Sequence, residues 1–291
     1  MADTSNNRGR ALEYRICKEI TTRFLGSALT ERAKAANERD SAYYSSLPEA
    51  IRQDFGNCAH IVCEWLESKL PNQDHLTIDR LPDSKGVKGD PTDILISSGT
   101  FELRLSIKNN YPALKHQRLT RLPQQCGITD PEEVAAYTKA RMRIWGEYYS
   151  KVLEGYPTAT KFGDVRDLTF SMLYSRLNDL VVKFYNEHQS SAPVHFRFLT
   201  GTSNFYLVKN SSSTVRIFDF SGIPSPKIMQ AFRLDQNNIF LEFDNGWKLK
   251  LRFHTASSRL YKKSGLPNRS IKMDTTFPNM DVAVPHEDFE K

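Results

Sequence analysis

The sequence predicts an α/β (α+β) protein: a mixed central sheet flanked by helices, with a β-rich C-terminal region. Three observations carry this prediction. Residues 7–24 and 57–70 place apolar residues at helical spacing, with Leu12, Ile16, Ile20 and Phe24 on one face of the first run. Residues 89–118 contain two short apolar strands joined by a Ser-Gly turn. From residue 194 the pattern changes to period two, and Asp244-Asn245-Gly246 is a strong hairpin signal.

In chain order, Asn7 is a possible cap for the first helix, and a charged helical run follows around 29–40. Pro48 opens a short helix over 48–54, ahead of the stronger amphipathic run 57–70. Leu76–Ile78 reads as an edge strand, and DSKGVKGDP as a polar, glycine-rich loop. The strands 93–96 and 101–108 come next, then a mixed loop over 109–129 with room for one helical turn. Thr129-Asp130-Pro131-Glu132 starts a helix that runs to about 153, because the capping acid, proline and first-turn acids suit an N-terminus. Another helix is expected over 164–188, with Leu168, Met172, Leu173, Leu177 and Leu180 on one face. Strands are expected at 194–200, 204–209, 214–220, 228–234, 238–243 and 247–254. The polar tail beyond 262, with prolines at 267, 278 and 285, is expected to be loosely ordered.

Composition narrows the class. The 291 residues suit one large domain or two modest ones. No apolar run reaches the roughly 18 residues of a membrane span, and MADTSNNRGR lacks the apolar core of a signal peptide. The expected location is therefore cytoplasmic. A net charge of +6 permits a polyanionic partner without requiring one. Cys17, Cys58, Cys63 and Cys126 have no metal-type spacing and read as reduced core thiols.

The chemistry concentrates in residues 89–118. A tight turn between the strands would bring Asp93 and Lys108 together at their ends. Alternation puts Glu102, Arg104, Ser106 and Lys108 on one face and Leu103, Leu105 and Ile107 on the core face. A carboxylate at such a place can hold Mg²⁺, which polarises a phosphate oxygen and lowers the pKa of water. A lysine beside it can orient that water or stabilise the developing negative charge. Taken alone, one Asp and one Lys on neighbouring strands more often describe solvated strand ends. One carboxylate is also too few for the ion. Glu102 lies six residues before Lys108, about 20 Å away along an extended strand, so a helix acid is the better second ligand. Glu13 is the first candidate, with an ordinary exposed helix acid as the plainer reading, and Glu64 and Glu67 are weaker ones.

The neighbouring residues favour a nucleic acid. Between Leu103 and Thr129 there is no acid, while Lys108, Lys115, His116 and Arg118 alternate with Asn109, Asn110 and several glutamines. Cations neutralise phosphates, and Asn, Gln and Arg pair with base edges. A solvated basic loop would look the same.

At these residues the chain resembles known nucleases. Pro91-Thr92-Asp93 followed by Ser106-Ile107-Lys108 resembles the PD-(D/E)XK signature. More narrowly, SIKNNYPALKHQRL (106–119) and RFHTASSR (252–259) resemble type II restriction endonucleases of the HaeIII-like family. The run Asn7-Arg8-Gly9-Arg10 to Glu13 resembles the opening helix of such enzymes. The resemblance implies a restriction-endonuclease-like fold and Mg²⁺-dependent, site-specific cleavage of double-stranded DNA, with 5′-phosphate ends and a GGCC-like target. It makes Asp93 the principal metal ligand, Glu13 the helix-borne metal ligand and Lys108 the residue that orients the attacking water. Ser106 stands in the catalytic motif where an acid is expected, so the strand pair alone is an incomplete metal cage. A homodimer is expected because two strands are cut, and a cognate DNA methyltransferase is expected in the same restriction-modification system, though not as a bound partner.

The resemblance also weights the last hairpin. Trp247, Leu249, Leu251 and Phe253 should face the core, and Lys248, Lys250, Arg252 and His254 should form a basic stripe leading to Ser257, Ser258 and Arg259. A two-stranded ribbon fits a major groove, whereas lysines on a solvated edge are the plainer reading. His254 has no visible metal-ligand companion in the sequence and is expected at a phosphate. The division that follows is 1–193 as the helical and catalytic core and 194–291 as a β-rich DNA-binding region, possible within the same domain. Two other functions fit the same residues: a repair or junction nuclease of this fold, and a non-catalytic sequence-specific DNA-binding protein.

Overall fold

The computed structural model describes residues 5–71, 74–82, 90–110, 113–201 and 204–291. The chain divides into two compact units that interleave in sequence: 1–112 with 201–223 and 284–291, and 113–200 with 224–283. A single cut at 193/194 would pass through a helix. Most of the loop DSKGVKGDP lies outside the described residues, as do Tyr111 and Pro112. Among the described residues no helix is long and apolar enough to cross a membrane.

The first unit is built on a mixed seven-stranded sheet. Helices α1 (Ser5–Arg23), α2 (Glu31–Ser45) and α3 (Glu49–Lys69) precede most of its strands. The strands are β1 (Ala28–Leu29), β2 (Thr77–Arg80), β3 (Ile94–Ser98), β4 (Phe101–Asn109), β6 (Tyr206–Asn210), β7 (Thr214–Asp219) and β12 (His286–Glu290), adjacent in that order. Leu12, Ile16 and Ile20 of α1 and Val62, Trp65 and Leu66 of α3 pack with Ile94, Ile96, Leu103, Leu105 and Ile107 in one core. The alternation read for β4 is thus present, since Leu103, Leu105 and Ile107 are all buried. The two helices expected over 48–70 form one continuous helix because its buried positions, from Phe55 to Leu66, keep helical spacing throughout. Strand β2 is not at the edge: it pairs with β3 on one side and with the two-residue β1 on the other.

The second unit contains an antiparallel sheet of five strands, in the order β5 (Ala113–Arg118), β11 (Ile271–Thr276), β10 (Lys248–Thr255), β9 (Asn238–Phe243) and β8 (Met229–Arg233). It also holds helices α4 (Pro131–Gly155), α5 (Ser175–Glu187) and α6 (Ala192–Thr200). The Asp244–Gly246 turn joins β9 to β10 with Gly246 at φ +85°, a conformation that L side chains adopt only at a cost.

Four expectations are corrected here. Residues 194–200 are helical, because Ala192, His195, Phe196 and Leu199 are the buried positions while Val194 is half exposed. The expected loop 109–129 contains β5, whose partner β11 lies more than 150 residues away and gives no local signal. The expected helix 164–188 begins with a 3₁₀ turn and a π-helical turn over Thr169–Tyr174 before α5 starts. The tail is ordered: Ile271 and Met273 alternate into the core from β11, and β12 closes the edge of the first unit's sheet against β7. Its prolines punctuate short strands and turns.

The four cysteines are free and buried, as expected. Burial pushes the thiols of Cys17 and Cys58 up to about 12, so they stay protonated.

Candidate active site

Strands β3 and β4 are antiparallel, and their register sets Asp93 beside Ser106, one step beyond the Ile94–Leu105 pair. The Asp93 backbone is fixed from both sides: its N–H donates to Leu105 O at 2.8 Å, and its carbonyl accepts from Leu81 N at 2.9 Å. Its side chain then takes the next donor along β4. Asp93 Oδ2 accepts from Ile107 N at 2.6 Å and from Ser106 Oγ at 3.3 Å. The carboxylate thus stands where a ladder carbonyl would otherwise be, and Lys108 Nζ lies 3.9 Å from the same oxygen. Pro91 is packed closely from the chain at Gly201, where a Cβ would come within 3.0 Å of its ring and of Phe205. Gly201 has φ +116°, so the close approach and the backbone both require glycine.

Ser106 is fully buried in this arrangement. An acid in its place would face the Asp93 carboxylate at hydrogen-bond range, whereas the hydroxyl donates to it. The further carboxylate near Asp93 comes from α1. Burial pushes the Glu13 carboxyl up to about 7, the charge of Asp93 adds to the rise, and Arg80 and Lys108 oppose it. Glu13 therefore lies in the field of both strand residues. Glu64 and Glu67 are engaged elsewhere, in ion pairs with Arg23 of α1. Glu102 pairs with Arg104 at 2.7 Å.

A buried network missed in the sequence supports Glu13. Arg80, the last residue of β2 and only 5% exposed, donates from Nη2 to Glu13 Oε2 at 2.5 Å and from Nη1 to Asn37 Oδ1 at 3.1 Å. Its Nη1 is also 2.8 Å from Oδ2 of the fully buried Asp40, which Arg39 engages as well. The available signal was Arg80 itself, two residues after Ile78 on the core-facing parity of a short strand.

The residues expected at DNA separate into groups. Asn109 Oδ1 accepts from Asn210 Nδ2 at 3.0 Å, and Asn110 takes a left-handed φ of +52° at the end of β4. In the second unit, Trp247, Leu249, Leu251 and Phe253 are buried as read, and Lys248, Lys250, Arg252 and His254 project to the other face of β10. His116 and Arg118 of β5 and Lys272 and Asp274 of β11 share that face through the strand registers. Lys272, between Arg118 and His254, and Asp274 were missed because β11 was read as tail. Lys115 points to the opposite face, where its ammonium donates to Phe198 O at 2.7 Å and sits over the Phe198 ring. Lys248 pairs with Glu242 at 2.8 Å, and Arg118 donates to Ser270 Oγ at 3.2 Å. Ser257 Oγ accepts from Arg259 N, and Ser258 O from Phe162 N, so these residues shape the loop after β10.

His254 does have companions, contrary to the sequence reading. His254 Nε2 and His116 Nδ1 lie 2.8 Å and 2.5 Å from Asp274 Oδ1, and Arg252 Nη2 donates to Oδ2 at 2.9 Å. Burial pushes the Asp274 carboxyl up, but the hydrogen bonds with His116, His254 and Arg252 outweigh it and hold the group well below the carboxylate range. The three strands converge only after folding, which is why residues 116, 254 and 274 showed no spacing motif.

Comparison with known proteins agrees with the family read from the motifs. Residues 9–125, which include Glu13, Asp93 and Lys108, match the HaeIII restriction endonuclease family. The type II restriction enzyme HaeIII of Haemophilus aegyptius is 25% identical to the chain, over 94% of this chain and 99% of that protein. No solved structure matches the chain. With the motif residues on a mixed sheet flanked by helices, and with similarity running along nearly its whole length, this chain is similar to type II restriction endonucleases of the HaeIII kind.

Proposed function

We propose that the chain cleaves double-stranded DNA at a short specific site by Mg²⁺-dependent hydrolysis, with Asp93, Glu13 and Lys108 at the reaction centre. The observation that carries this reading is the Asp93 carboxylate, fixed by Ile107 N and Ser106 Oγ with Lys108 Nζ 3.9 Å away. The donor set suits the ion. Two carboxylates are hard oxygen ligands, and one of them, Glu13, is raised by burial and by its neighbour's charge, a setting that favours a cation. Mg²⁺, when bound, supplies a Lewis acid for a phosphate oxygen and lowers the pKa of water.

The protein's own groups supply the rest. Asp93 and Glu13 would hold the ion, with Arg80 keeping the Glu13 side chain in place. Lys108 would orient the attacking water by hydrogen bonding and stabilise charge developing on the phosphorane. In-line attack would break the bond to the 3′ oxygen, leaving a 5′-phosphate and a 3′-hydroxyl. Ser106 acts on the acid through its hydrogen bond to Asp93, as a positioning residue. The row Lys250, Arg252, His254, Lys272, His116 and Arg118, exposed or half-buried, is proposed to meet phosphates and base edges.

The resemblance extends the proposal to a GGCC-like target, a homodimer that cuts both strands, a cytoplasmic setting and a cognate methyltransferase that protects host DNA. Incubation of the purified protein with unmethylated plasmid and Mg²⁺ tests the reading. Discrete fragments that disappear with Asp93→Ala are expected. A smear or cleavage only at branched DNA would favour a repair or junction nuclease. Specific binding without any cut would leave a non-catalytic DNA-binding protein and sink the proposal.

A further inference from the structure

His116, His254 and Asp274 form a second constellation of ligand atoms, built on three adjacent strands. One nitrogen of each imidazole and one oxygen of the carboxylate all lie within 4.8 Å of one another. The side chains project from β5, β10 and β11, with His116 directly opposite Asp274 and Asp274 directly opposite Arg252. Strand positions of this kind hold ligands more rigidly than loops do.

The hydrogen bonds around the cluster define its chemistry. His254 Nδ1 lies 3.2 Å from the carbonyl oxygen of Thr255. A carbonyl only accepts, so the tautomer with its proton on Nδ1 makes this contact a hydrogen bond and leaves Nε2 of the neutral ring a lone pair. That lone pair faces Asp274 Oδ1, another acceptor, at 2.8 Å. A metal ion set off the line between the two atoms can accept a lone pair from each. His116 Nδ1 points at the same oxygen from the opposite side.

We propose that His116 Nδ1, His254 Nε2 and Asp274 Oδ1 bind one divalent transition-metal ion of the zinc class. Two imidazoles and one carboxylate are a donor set for Zn²⁺ and its neighbours, whereas Mg²⁺ takes oxygen donors. The surrounding contacts have the character of support for metal ligands. Thr255 O can accept from Nδ1 of His254 in the tautomer that frees Nε2 for a metal, and Arg252 Nη2 holds the carboxylate's other oxygen at 2.9 Å. Asp274 is buried while His116 and His254 are 45% and 35% exposed, so an ion can reach the site from solvent and retain water at its fourth position. The ion would tie β5 to β10 and β11. The site is separate in composition from Asp93 and Glu13, and it does not depend on the cleavage reading.

The test is titration of the purified full chain with Zn²⁺ near neutral pH against a chelating indicator, without DNA, in excess Mg²⁺. One tight equivalent is expected in the parent and in Asp93→Ala. His116→Ala and His254→Ala should each weaken it by about 10–100-fold or more. Co²⁺ should give the visible absorption of a four-coordinate ion in the parent only. Circular dichroism checks that the variants fold, and His116→Gln repeats the test at the more exposed position. Absence of a tight equivalent, or equal binding by the folded histidine variants, would overturn the proposal and leave protons holding the cluster. Because the readout is metal binding, loss of DNA cleavage has no bearing on it.

Discussion

Arg80 joins Glu13 of the first helix to Asp40 of the second, with Nη2 2.5 Å from Glu13 Oε2 and Nη1 2.8 Å from Asp40 Oδ2. One guanidinium thereby neutralises a fully buried acid and steadies the acid proposed for the ion. Replacing Arg80 with methionine should leave both carboxylates without their shared cation and cost roughly 3–5 kcal/mol. Arg80→Lys should recover only part of this, because an ammonium lacks the fork that spans two acceptors. Urea unfolding of the two variants measures the difference, and equal stability to the parent would remove the structural role given to Arg80.

Lys108→Met should lower the cleavage rate by roughly 10²–10³-fold if the ammonium stabilises developing charge. DNA affinity measured with Ca²⁺ in place of Mg²⁺ should change little. A variant that loses affinity and rate in equal proportion would place Lys108 in substrate binding instead.

The Glu13 carboxyl is raised from 4.5 to about 7, which fixes the sign of its effect on stability. The folded protein holds this proton more tightly than the unfolded chain. The contribution is therefore complete below pH 4.5 and is lost as the pH rises through about 7. In the absence of divalent ions, Glu13→Gln should remove a decline of up to ~3 kcal/mol over that window. Mg²⁺ should bind more tightly as the pH rises through the same range and release a proton, which calorimetry in buffers of different ionisation enthalpy can detect.

His195 works in the opposite direction. Buried between Tyr185 Oη at 2.9 Å and the Gln125 carbonyl, its imidazole is pushed down to about 3 by burial. The unfolded chain binds this proton first, so the stability is present above pH 6.5 and lost as the pH falls toward 3. His195→Gln should flatten the acid side of the stability curve by a few kcal/mol, of the order that such a shift carries. The difference between variant and parent curves separates this effect from that of Glu13.

Lys250→Ala and Lys272→Ala test the basic face of the second unit. Each should weaken DNA binding across all sequences and reduce the slope of log affinity against log salt by about one. Lys115→Ala should leave the slope unchanged, because its ammonium is held by Phe198 O on the other face. An equal change at Lys115 would place the DNA elsewhere.

The parts legible in the sequence were those with a short-range signature. The β3–β4 turn, the alternation of Leu103, Leu105 and Ile107, and the first helix with Leu12, Ile16 and Ile20 all follow from local periodicity. They sufficed to bring Asp93 near Lys108 and to nominate Glu13. The β9–β10 hairpin, with its apolar and basic faces, was legible for the same reason.

Local pattern was misleading where pairing was distant or two periods were compatible. Residues 194–200 alternate well enough for a strand, yet burial of His195, Phe196 and Leu199 against the rest of the unit makes them a helix. Strand β5 was concealed among basic residues, and β11 among polar ones, because each is stabilised by the other across the chain. Thus the sequence by itself determined the α+β pattern and nominated the residues proposed for the chemistry. Tertiary structure decided that Arg80 supports Glu13, that Lys115 turns inward, and that His116, His254 and Asp274 meet. Such contacts depend on which distant strands pair and in what register, and a one-residue slip would send each side chain to the other face.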